Sequence, residues 1–483
     1  MQLSTTDLLN YYRCPRLLFL NKYGDKSIQL PPSEFLKRLW KVGRGYESKV
    51  IDFFTYERPK YKVGDYKKGL EETIKLMEEG VETIYQGVLK NDELIGIPDF
   101  LIKAKGNSGF GNYYYYPVDI KGASTSRERY LFQLATYAFI IGEVQNFTPL
   151  YGGLLLLDMD LQIRYLYSLM PQVISSIEKS KKILSDQDSM PDLFIDSNCS
   201  MCQWYNLCQP EASIKYDLSL VPGISRKIKS GLQNISINNY SDLANCDIHD
   251  IEGVEGLQGE KGRNVLLQTQ ALSKNQIFIK SMPDLSPSDE KAIYIDFESD
   301  FIFDNNGTDL TRIDYLIGIL LYENDKQEYK SLLLEESEME LIKEFTKLAT
   351  QYKDYTFYHY GHYEQTVLSG KWNLGSKVNL ANLEKTVRES VIMPVTGYSL
   401  KNIAKVLGFR WKNKEASATQ SMCWYSNYLA TKDKRFLDLS IQYNQDDCMA
   451  LRLVKNWLVN LKSQDLKEGE FIDVEQTIKH ATS

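Results

Sequence analysis

Several acidic residues in the second half of the chain have the spacing of a metal-dependent active site. Asp296 and Glu298 are two apart, so on a strand both carboxylates face one way. Tyr443 and Asp447 are four apart and share one face of a helix, and Glu364 follows a predicted strand between the two pairs. Carboxylates that converge repel one another unless divalent cations bind. This set predicts catalytic residues around two ions, Mg²⁺ or Mn²⁺, held by Asp296, Glu298 and Asp447.

A second acidic set lies earlier in the chain. Asp119 and Lys121 are two apart on a predicted strand and point to one face. A cation held by Asp99 and Asp119 would polarise a scissile phosphate, and Lys121 would orient water or stabilise developing charge. Gln133 and Tyr137 are four apart on a predicted helix, where both would steady Lys121 or a phosphate. The ordered set predicts a metal-dependent phosphodiesterase site.

Four of the seven cysteines have the pattern of a closed metal site. Cys199 and Cys202 form a Cys-x2-Cys pair, Cys208 follows them, and Cys14 lies far upstream. Four thiolates suit either zinc or an iron–sulfur cluster, and the spacing alone leaves both open. The alternative is four buried thiols without a metal. The remaining cysteines are isolated and are predicted to be packing residues: Cys246, Cys423 and Cys448.

The middle of the chain contains a glycine turn followed by basic residues. Gly223 follows a proline, and Arg226, Lys227 and Lys229 come directly after this turn. A glycine in such a turn lets backbone N–H groups approach a phosphate, and the cations would add attraction that does not depend on base sequence. A second turn of this kind is predicted around Gly256. The alternative is a helical spacer in which the glycines are helix stops.

Length and composition place these motifs in a globular protein of several domains. The chain has 483 residues, which at roughly 100 to 200 residues per domain indicates about three domains. Apolar residues make up 43% and charged residues 25%, and the net charge is -7, so affinity for nucleic acid must come from local patches. The sequence shows neither a membrane-spanning apolar run nor a signal peptide, which predicts a cytoplasmic protein with no membrane partner.

Periodicity predicts an α/β multidomain fold around these residues. The first part alternates helices with strands, the middle part is helical, and a second α/β pattern follows a turn-rich linker at residues 283–288. Predicted helices are Ser33–Phe54, Lys67–Glu79, Tyr130–Ile141, Met339–Gln351 and Phe436–Leu461. Predicted strands are Thr83–Leu89, Leu94–Lys103, Tyr113–Lys121, Gly152–Asp158, Ala292–Glu298, Asp314–Tyr322 and Tyr355–Tyr360.

Residues 1–209 resemble the PD-(D/E)XK nucleases of the RecB type, in the branch that carries an iron–sulfur cluster. The resemblance rests on Asp99, Asp119 and Lys121, together with one cysteine before the nuclease core and three after it. It implies a restriction-endonuclease-like domain and a [4Fe–4S] cluster on these cysteines, with zinc as the alternative. Many members have a histidine ligand on the first helix, where this chain has Glu47. The resemblance implies either that Glu47 binds the metal in place of the histidine or that the metal site is weakened.

Residues 281–483 resemble the DEDD exonucleases of the ribonuclease H fold, which are also called DnaQ-like. Asp296, Glu298 and Asp447 match that motif directly. Glu364 stands where the family more often has aspartate, and Asn382 stands where related sequences often have another aspartate. The resemblance implies a metal-dependent exonuclease domain.

The complete order resembles a family of bacterial RecB-like nucleases that ends in a YprB-type ribonuclease H-like domain. It implies a nuclease domain at 1–209, a small all-α helix-hairpin-helix module at 210–280 that contacts DNA, and the exonuclease domain at 281–483. Larger members add a helicase, whereas this chain has no phosphate-binding loop motif, so a helicase partner would be a separate protein. The implied function is end processing of single- or double-stranded DNA in repair or recombination. The alternatives are a non-catalytic nucleic-acid-binding scaffold and an RNA-processing exonuclease.

Overall fold

A computed structural model describes residues 2–123, 125–157, 159–286, 291–303, 310–323, 326–463 and 466–475. The chain divides into two compact units. The first unit contains residues 1–193, 198–207 and 303–311, and the second contains residues 194–197, 208–302 and 312–483. The predicted division into three domains stays a prediction.

The first unit combines a five-stranded sheet with helices. Its helices are α1 (Thr5–Arg13), α2 (Pro15–Tyr23), α3 (Glu34–Ile51), α4 (Tyr66–Glu78), α5 (Glu128–Val144) and α6 (Met170–Ser185). Its strands are β1 (Leu3–Ser4), β2 (Thr83–Tyr85), β3 (Leu89–Lys90), β4 (Leu94–Gly96), β5 (Phe100–Ser108), β6 (Gly111–Ile120), β7 (Tyr151–Leu155) and β8 (Leu161–Tyr165). The large sheet has the order β2-β5-β6-β7-β8 with β6 and β7 parallel, and a small sheet has the order β1-β4-β3. Helix α7 (Tyr205–Ile214) follows near the division between the units.

Strand β6 shows how this sheet positions acidic side chains. Val118 and Ile120 pack in an apolar cluster with Tyr46 and Val50 of α3. Because side chains alternate along a strand, Asp119 between them points to the opposite face. That face carries α5, whose residues form the main core of the unit with β5 and β7. Asp119 therefore lies at a buried boundary between the sheet and a helix.

The second unit contains the helical middle segment and a second α/β sheet. Its helices are α8 (Arg226–Asn234), α9 (Tyr240–Ala244), α10 (Ile248–Ile251), α11 (Gly259–Lys274), α12 (Glu338–Gln351), α13 (Tyr363–Thr366), α14 (Leu383–Ser390), α15 (Leu400–Val406), α16 (Ala418–Thr431) and α17 (Lys434–Ser463). Its strands are β9 (Gln276–Ile279), β10 (Ala292–Phe303), β11 (Leu310–Glu323), β12 (Lys326–Leu333), β13 (Thr356–His359), β14 (Asn379–Asn382), β15 (Val391–Ile392) and β16 (Phe471–Asp473). The large sheet has the order β12-β11-β10-β13-β14, in which β10, β13 and β14 are parallel and β11 and β12 are antiparallel. A three-stranded antiparallel sheet has the order β15-β9-β16.

Strand β10 is buried on both faces. Ile293, Ile295 and Phe297 pack into the apolar cluster that includes α12. Tyr294 belongs to the other face, in the cluster that includes α17. By the same alternation, Asp296 and Glu298 continue the face toward α17. The sheet thereby turns two carboxylates toward the longest helix of the domain.

Most predicted elements are confirmed, including α3, α4, α5, α12 and α17. Two predicted strands are wrong in extent: Thr83–Leu89 breaks at Gln86, which has a φ of 52°, and Leu94–Lys103 breaks around Pro98. The middle segment was expected to be helical up to residue 280, but it ends in β9. The predicted end of one strand at Asp158 and the end of the linker at residues 287–288 lie outside the described residues.

Within the described parts of the chain, no helix combines the length and apolar character needed to cross a membrane.

Candidate active sites

Three of the predicted carboxylates converge between β10 and α17. Asp296 and Glu298 lie on the strand and Asp447 lies on the helix, and one ligand oxygen of each falls within 4.8 Å of the others. Glu298 is 4% exposed and Asp447 is 8% exposed. We call these residues the acidic triad. They form the one group of three potential metal-ligating side chains at this spacing among the residues that the structure describes.

Burial and mutual repulsion disfavour negative charge in the acidic triad. Burial, followed by the charge of Asp447, raises the pKa of Asp296 and of Glu298 well above the ordinary values. Burial also raises the pKa of Asp447 to about 7, although hydrogen bonds from Trp411 and Tyr443 oppose this shift. Without a cation, the folded protein therefore favours the protonated form of these carboxyl groups. A divalent cation would relieve this repulsion, so the donor set fits a hard metal ion such as Mg²⁺ or Mn²⁺.

Aromatic and hydroxyl side chains form hydrogen bonds with two members of the triad, Glu298 and Asp447. The indole Nε1 of Trp411 donates to Asp447 Oδ1 at 2.7 Å. The hydroxyl of Tyr315 donates to Glu298 Oε2 at 3.5 Å and also contacts the Ser421 hydroxyl at 2.7 Å. Sequence analysis missed all three of these partners. Trp411 and Ser421 are far from the acidic residues in sequence, and neither has a local signal of its role.

Glu364 occupies a different position from the three triad members. It is buried, and its Oε2 lies 3.4 Å from Nδ1 of His359. Its charge still contributes to the raised pKa values of Asp296 and Glu298, so it lies near the triad. Asn382 caps α14, since its Oδ1 accepts hydrogen bonds from the backbone of Glu384 and Lys385.

The first acidic set is built on β6 and the turn before β5. Asp99 accepts a 2.6 Å hydrogen bond from the backbone N–H of Ile120 through Oδ2, and Lys121 Nζ lies 2.5 Å from Asp119 Oδ2. Burial and then the charge of Asp119 raise the pKa of Asp99 well above its ordinary value. Burial lowers the pKa of Lys121, but the two carboxylates outweigh it and the net pKa is raised. Lys121 is therefore a cation and not a general base at neutral pH.

The other predicted residues of this set lie around the same carboxylates. Glu47 accepts a hydrogen bond from the Tyr85 hydroxyl at 3.2 Å, and its charge contributes to the raised pKa of Asp99. Gln133 Nε2 donates to the Tyr137 hydroxyl at 2.9 Å. Burial and then the charge of Asp119 raise the pKa of Tyr137 well above its ordinary value. Gln133 therefore contacts Tyr137, as its four-residue spacing on α5 predicts.

The four predicted cysteine ligands are all partly buried. Cys14 lies at the junction of α1 and α2. The preceding residue, Arg13, donates through Nη2 to the backbone oxygen of Asn198 at 2.9 Å, which ties this junction to the residue before Cys199. The backbone N–H of Cys202 donates to the oxygen of Cys199 at 2.9 Å, and Cys208 lies on α7. The structure thus links Cys14 with the Cys199 segment across the first unit.

The predicted phosphate-contacting residues of the middle segment divide into two groups. Gly223 has a φ of +96°, which glycine adopts readily in a tight turn. It is also exposed. Arg226 and Lys227 are also exposed, and Lys227 forms an ion pair with Glu255. The expectation for Lys229 is wrong, because this side chain is 2% exposed and its Nζ lies 2.7 Å from Asp217 Oδ2. A buried ion pair holds Lys229 in the core of the segment.

A groove of about 450 Å³ lies beside this turn, within the second unit. Its lining joins Gly223 and Lys261 of the middle segment to Lys280 and Arg388 of the C-terminal sheet region. Lys280 Nζ donates to the backbone oxygen of Arg388 at 2.8 Å, and the Arg388 guanidinium stacks 4.4 Å from the ring centre of Tyr398. The groove therefore presents three cationic side chains and one carboxylate, that of Glu260, beside the glycine turn.

Comparison with known protein families supports the ribonuclease H-like fold predicted for the C-terminal part of the chain. Residues 293–459 match the model of a family described as RNase_H superfamily. This segment contains the whole acidic triad. The protein is mixed α/β, and this segment is similar to ribonuclease H-like domains, which are typical of metal-dependent nucleases. A comparison with curated proteins found no significant match.

Proposed function

We propose that this protein is a divalent-metal-dependent nuclease whose C-terminal domain is a DEDD-type exonuclease. The convergence of Asp296, Glu298 and Asp447 carries this proposal, because these carboxylates, of which one is half-buried and two are buried, repel one another and fit Mg²⁺ or Mn²⁺. Bound cations would polarise the scissile phosphate and activate the attacking water. The match of residues 293–459 to the RNase H superfamily supports the same chemistry.

The protein's own side chains would set the positions of these ligands. Trp411 holds one oxygen of Asp447, and Tyr443 lies one helical turn before it, with its hydroxyl in hydrogen-bond contact with that carboxylate. Tyr315 and Ser421 hold Glu298. Glu364 would act as the fourth acidic residue of the site, and its Oε2 lies 3.4 Å from Nδ1 of its neighbour His359.

The first unit would provide a second nuclease site of the PD-(D/E)XK type. Glu47, Asp99 and Asp119 would hold the divalent cation, with Gln133 and Tyr137 supporting the site. Lys121 would stay protonated and stabilise the negative charge that develops on the phosphate, because the neighbouring carboxylates raise its pKa. Asp119 would orient Lys121 through their 2.5 Å ion pair.

The four cysteines would bind a [4Fe–4S] cluster, with zinc as the alternative ligand. The hydrogen bond between Arg13 and Asn198 supports this proposal, since it joins the Cys14 junction to the Cys199 segment. Such a cluster would close a loop of nearly two hundred residues and would stabilise the first unit against unfolding.

Nucleic acid would bind along the middle segment through phosphate contacts. Gly223, Arg226 and Lys227 are exposed and would contact the backbone together with the groove cations Lys261 and Lys280. DNA ends are the proposed substrate, in repair or recombination. The alternatives to this function are RNA processing and a non-catalytic scaffold that binds nucleic acid. A separate helicase partner and a cytoplasmic location stay predictions.

The test compares wild type with Asp119→Ala, Asp296→Ala and the double variant. End-labelled single-stranded DNA, double-stranded DNA and RNA are incubated with each protein in Mg²⁺ and then in Mn²⁺. We expect each single variant to lose one cleavage activity and the double variant to lose both. Asp438→Ala, which changes an exposed residue of α17, is the matched control. A double variant that degrades all substrates at the wild-type rate would favour the scaffold.

A further inference from the structure

Asp296 is held by an α17 side chain that lies outside the predicted site. Asn444 is fully buried, at 0% exposure. Its Nδ2 donates to the carboxylate Oδ2 of Asp296 at 2.8 Å and to the backbone oxygen of the same residue at 3.0 Å. One amide group thus fixes both the strand and the side chain of a triad member.

The other end of this amide is anchored by Tyr329 of β12. The Tyr329 hydroxyl donates to Asn444 Oδ1 at 2.9 Å. A flipped amide would place Oδ1 against the carboxylate of Asp296, where two acceptors repel each other. The two oxygens of Asp296 therefore favour the orientation in which Nδ2 faces them, and the Tyr329 hydroxyl anchors the oxygen at the other end of the amide.

A glycine of β11 provides the space for this arrangement. A Cβ atom built on Gly318 would lie 1.7 Å from Asn444 Oδ1 and 2.9 Å from Cys448 Sγ. Contacts this short would force Asn444 or the helix to move. Gly318 lies on the strand between β10 and β12, so any side chain there would enter the space that Asn444 occupies.

We infer that Tyr329, Asn444 and Gly318 position Asp296 for metal binding. Asn444 commits one carboxylate oxygen to a hydrogen bond and leaves the other available to a divalent cation. None of the three residues belongs to the proposed ligand set, so they act as positioning residues and not as catalytic ones. This inference rests on the proposed metal site of the acidic triad. Removing such a supporting partner typically costs about 10- to 100-fold in metal affinity.

The test measures Mn²⁺ binding to the full-length protein by calorimetric titration. The binding signal that Asp296→Ala removes is assigned to the acidic triad. We expect Asn444→Ala to weaken that binding by about 10- to 100-fold, and Tyr329→Phe to weaken it by a smaller factor because it removes one anchor of the amide. Tyr360→Phe is the matched control, since its hydroxyl is also partly buried and donates to a backbone oxygen, at 2.9 Å from Tyr398 O.

Thermal unfolding of the same variants separates positioning from a general structural role. Tyr329→Phe and Tyr360→Phe should lose similar stability, whereas Mn²⁺ affinity should fall in Tyr329→Phe and stay at the wild-type level in Tyr360→Phe. Should Asn444→Ala fail to fold, Tyr329→Phe decides the question. Wild-type Mn²⁺ affinity in Tyr329→Phe and in any folded Asn444→Ala protein would overturn the inference.

The same titration distinguishes this inference from the proposed function. If wild type binds Mn²⁺ at the triad without cleaving any substrate, and Asn444→Ala weakens the binding, the nuclease proposal fails and the positioning role stands. If wild type binds and cleaves and the Asn444 and Tyr329 variants do the same, only the positioning role fails. If Asp296→Ala removes no Mn²⁺ signal, the triad is not a metal site and both fail.

Discussion

Replacing Asp447 with asparagine should stabilise the metal-free protein at alkaline pH while it abolishes cleavage by the C-terminal domain. Burial raises the pKa of Asp447 from 3.8 to about 7, so at pH 8 the folded protein must hold an unfavourable negative charge. Asparagine has the shape of the protonated acid, and its Oδ1 can still accept the Trp411 hydrogen bond, which is 2.7 Å in wild type. The variant therefore removes the charge and keeps the packing.

The size of this effect follows from the pKa shift. A change in the pKa of Asp447 from 3.8 to about 7 corresponds to about 4 kcal/mol in the free energy of unfolding, at about 1.4 kcal/mol per pKa unit. Because the pKa is higher in the folded state, the favourable contribution is complete below pH 3.8 and is lost as the pH rises through 7. Between pH 5 and pH 8 the wild-type protein should lose about 2.5 kcal/mol of stability that Asp447→Asn does not lose.

Urea unfolding in EDTA at pH 5 and pH 8 measures this difference. Asp438→Asn changes an exposed aspartate of the same helix and should leave the pH dependence of wild type unaltered. Adding Mn²⁺ at pH 8 should increase the stability of wild type more than that of Asp447→Asn, because the cation compensates the negative charge that only the wild-type carboxylate carries. If wild type and Asp447→Asn lose the same stability between the two pH values, the argument from buried charge is refuted.

Three further outcomes are expected. Asp119→Asn should abolish metal-dependent cleavage by the first unit. Lys121→Arg, which keeps the positive charge, should retain more cleavage activity than Lys121→Ala. Equal cleavage rates of the two lysine variants on a labelled duplex would contradict the cationic role of Lys121. The double variant Lys261→Ala and Lys280→Ala should weaken binding to all DNA sequences and reduce the salt dependence by a slope of up to about 2, as measured by fluorescence anisotropy. An unchanged slope would show that the groove does not contact phosphate. Cys14→Ser should lower the iron content of protein purified without oxygen, and zinc without iron in wild type would identify the alternative metal.

The acidic residues could be predicted from sequence because their signals are local. Asp296 and Glu298 share one face through the two-residue period of a strand, and Tyr443 and Asp447 share one through helical spacing. These periods survive in any fold that contains the two elements. The convergence of strand and helix into the acidic triad depends on packing, and here the sequence needed a family resemblance to predict it.

The supporting residues could not be predicted in the same way. Trp411 and Tyr329 lie on separate segments and reach the triad only through tertiary packing. Gly318 carries no local signal at all, because its importance comes from the side chain that fills the space beside it. Lys229 is the opposite case: its position after a glycine turn predicts a phosphate contact, but its side chain is buried and paired with Asp217.

The small sheet of the C-terminal domain brings the two ends of that domain together. The chain enters through β9 and leaves through β16, and these strands are paired, with Gln276 opposite Asp473. Paired antiparallel residues lie about 5 Å apart, so the domain could be transferred into a surface loop of another protein as a cassette with short linkers. A fragment intended to fold alone should begin before Gln276, because a cut at residue 281 leaves β15 and β16 without the strand that joins them.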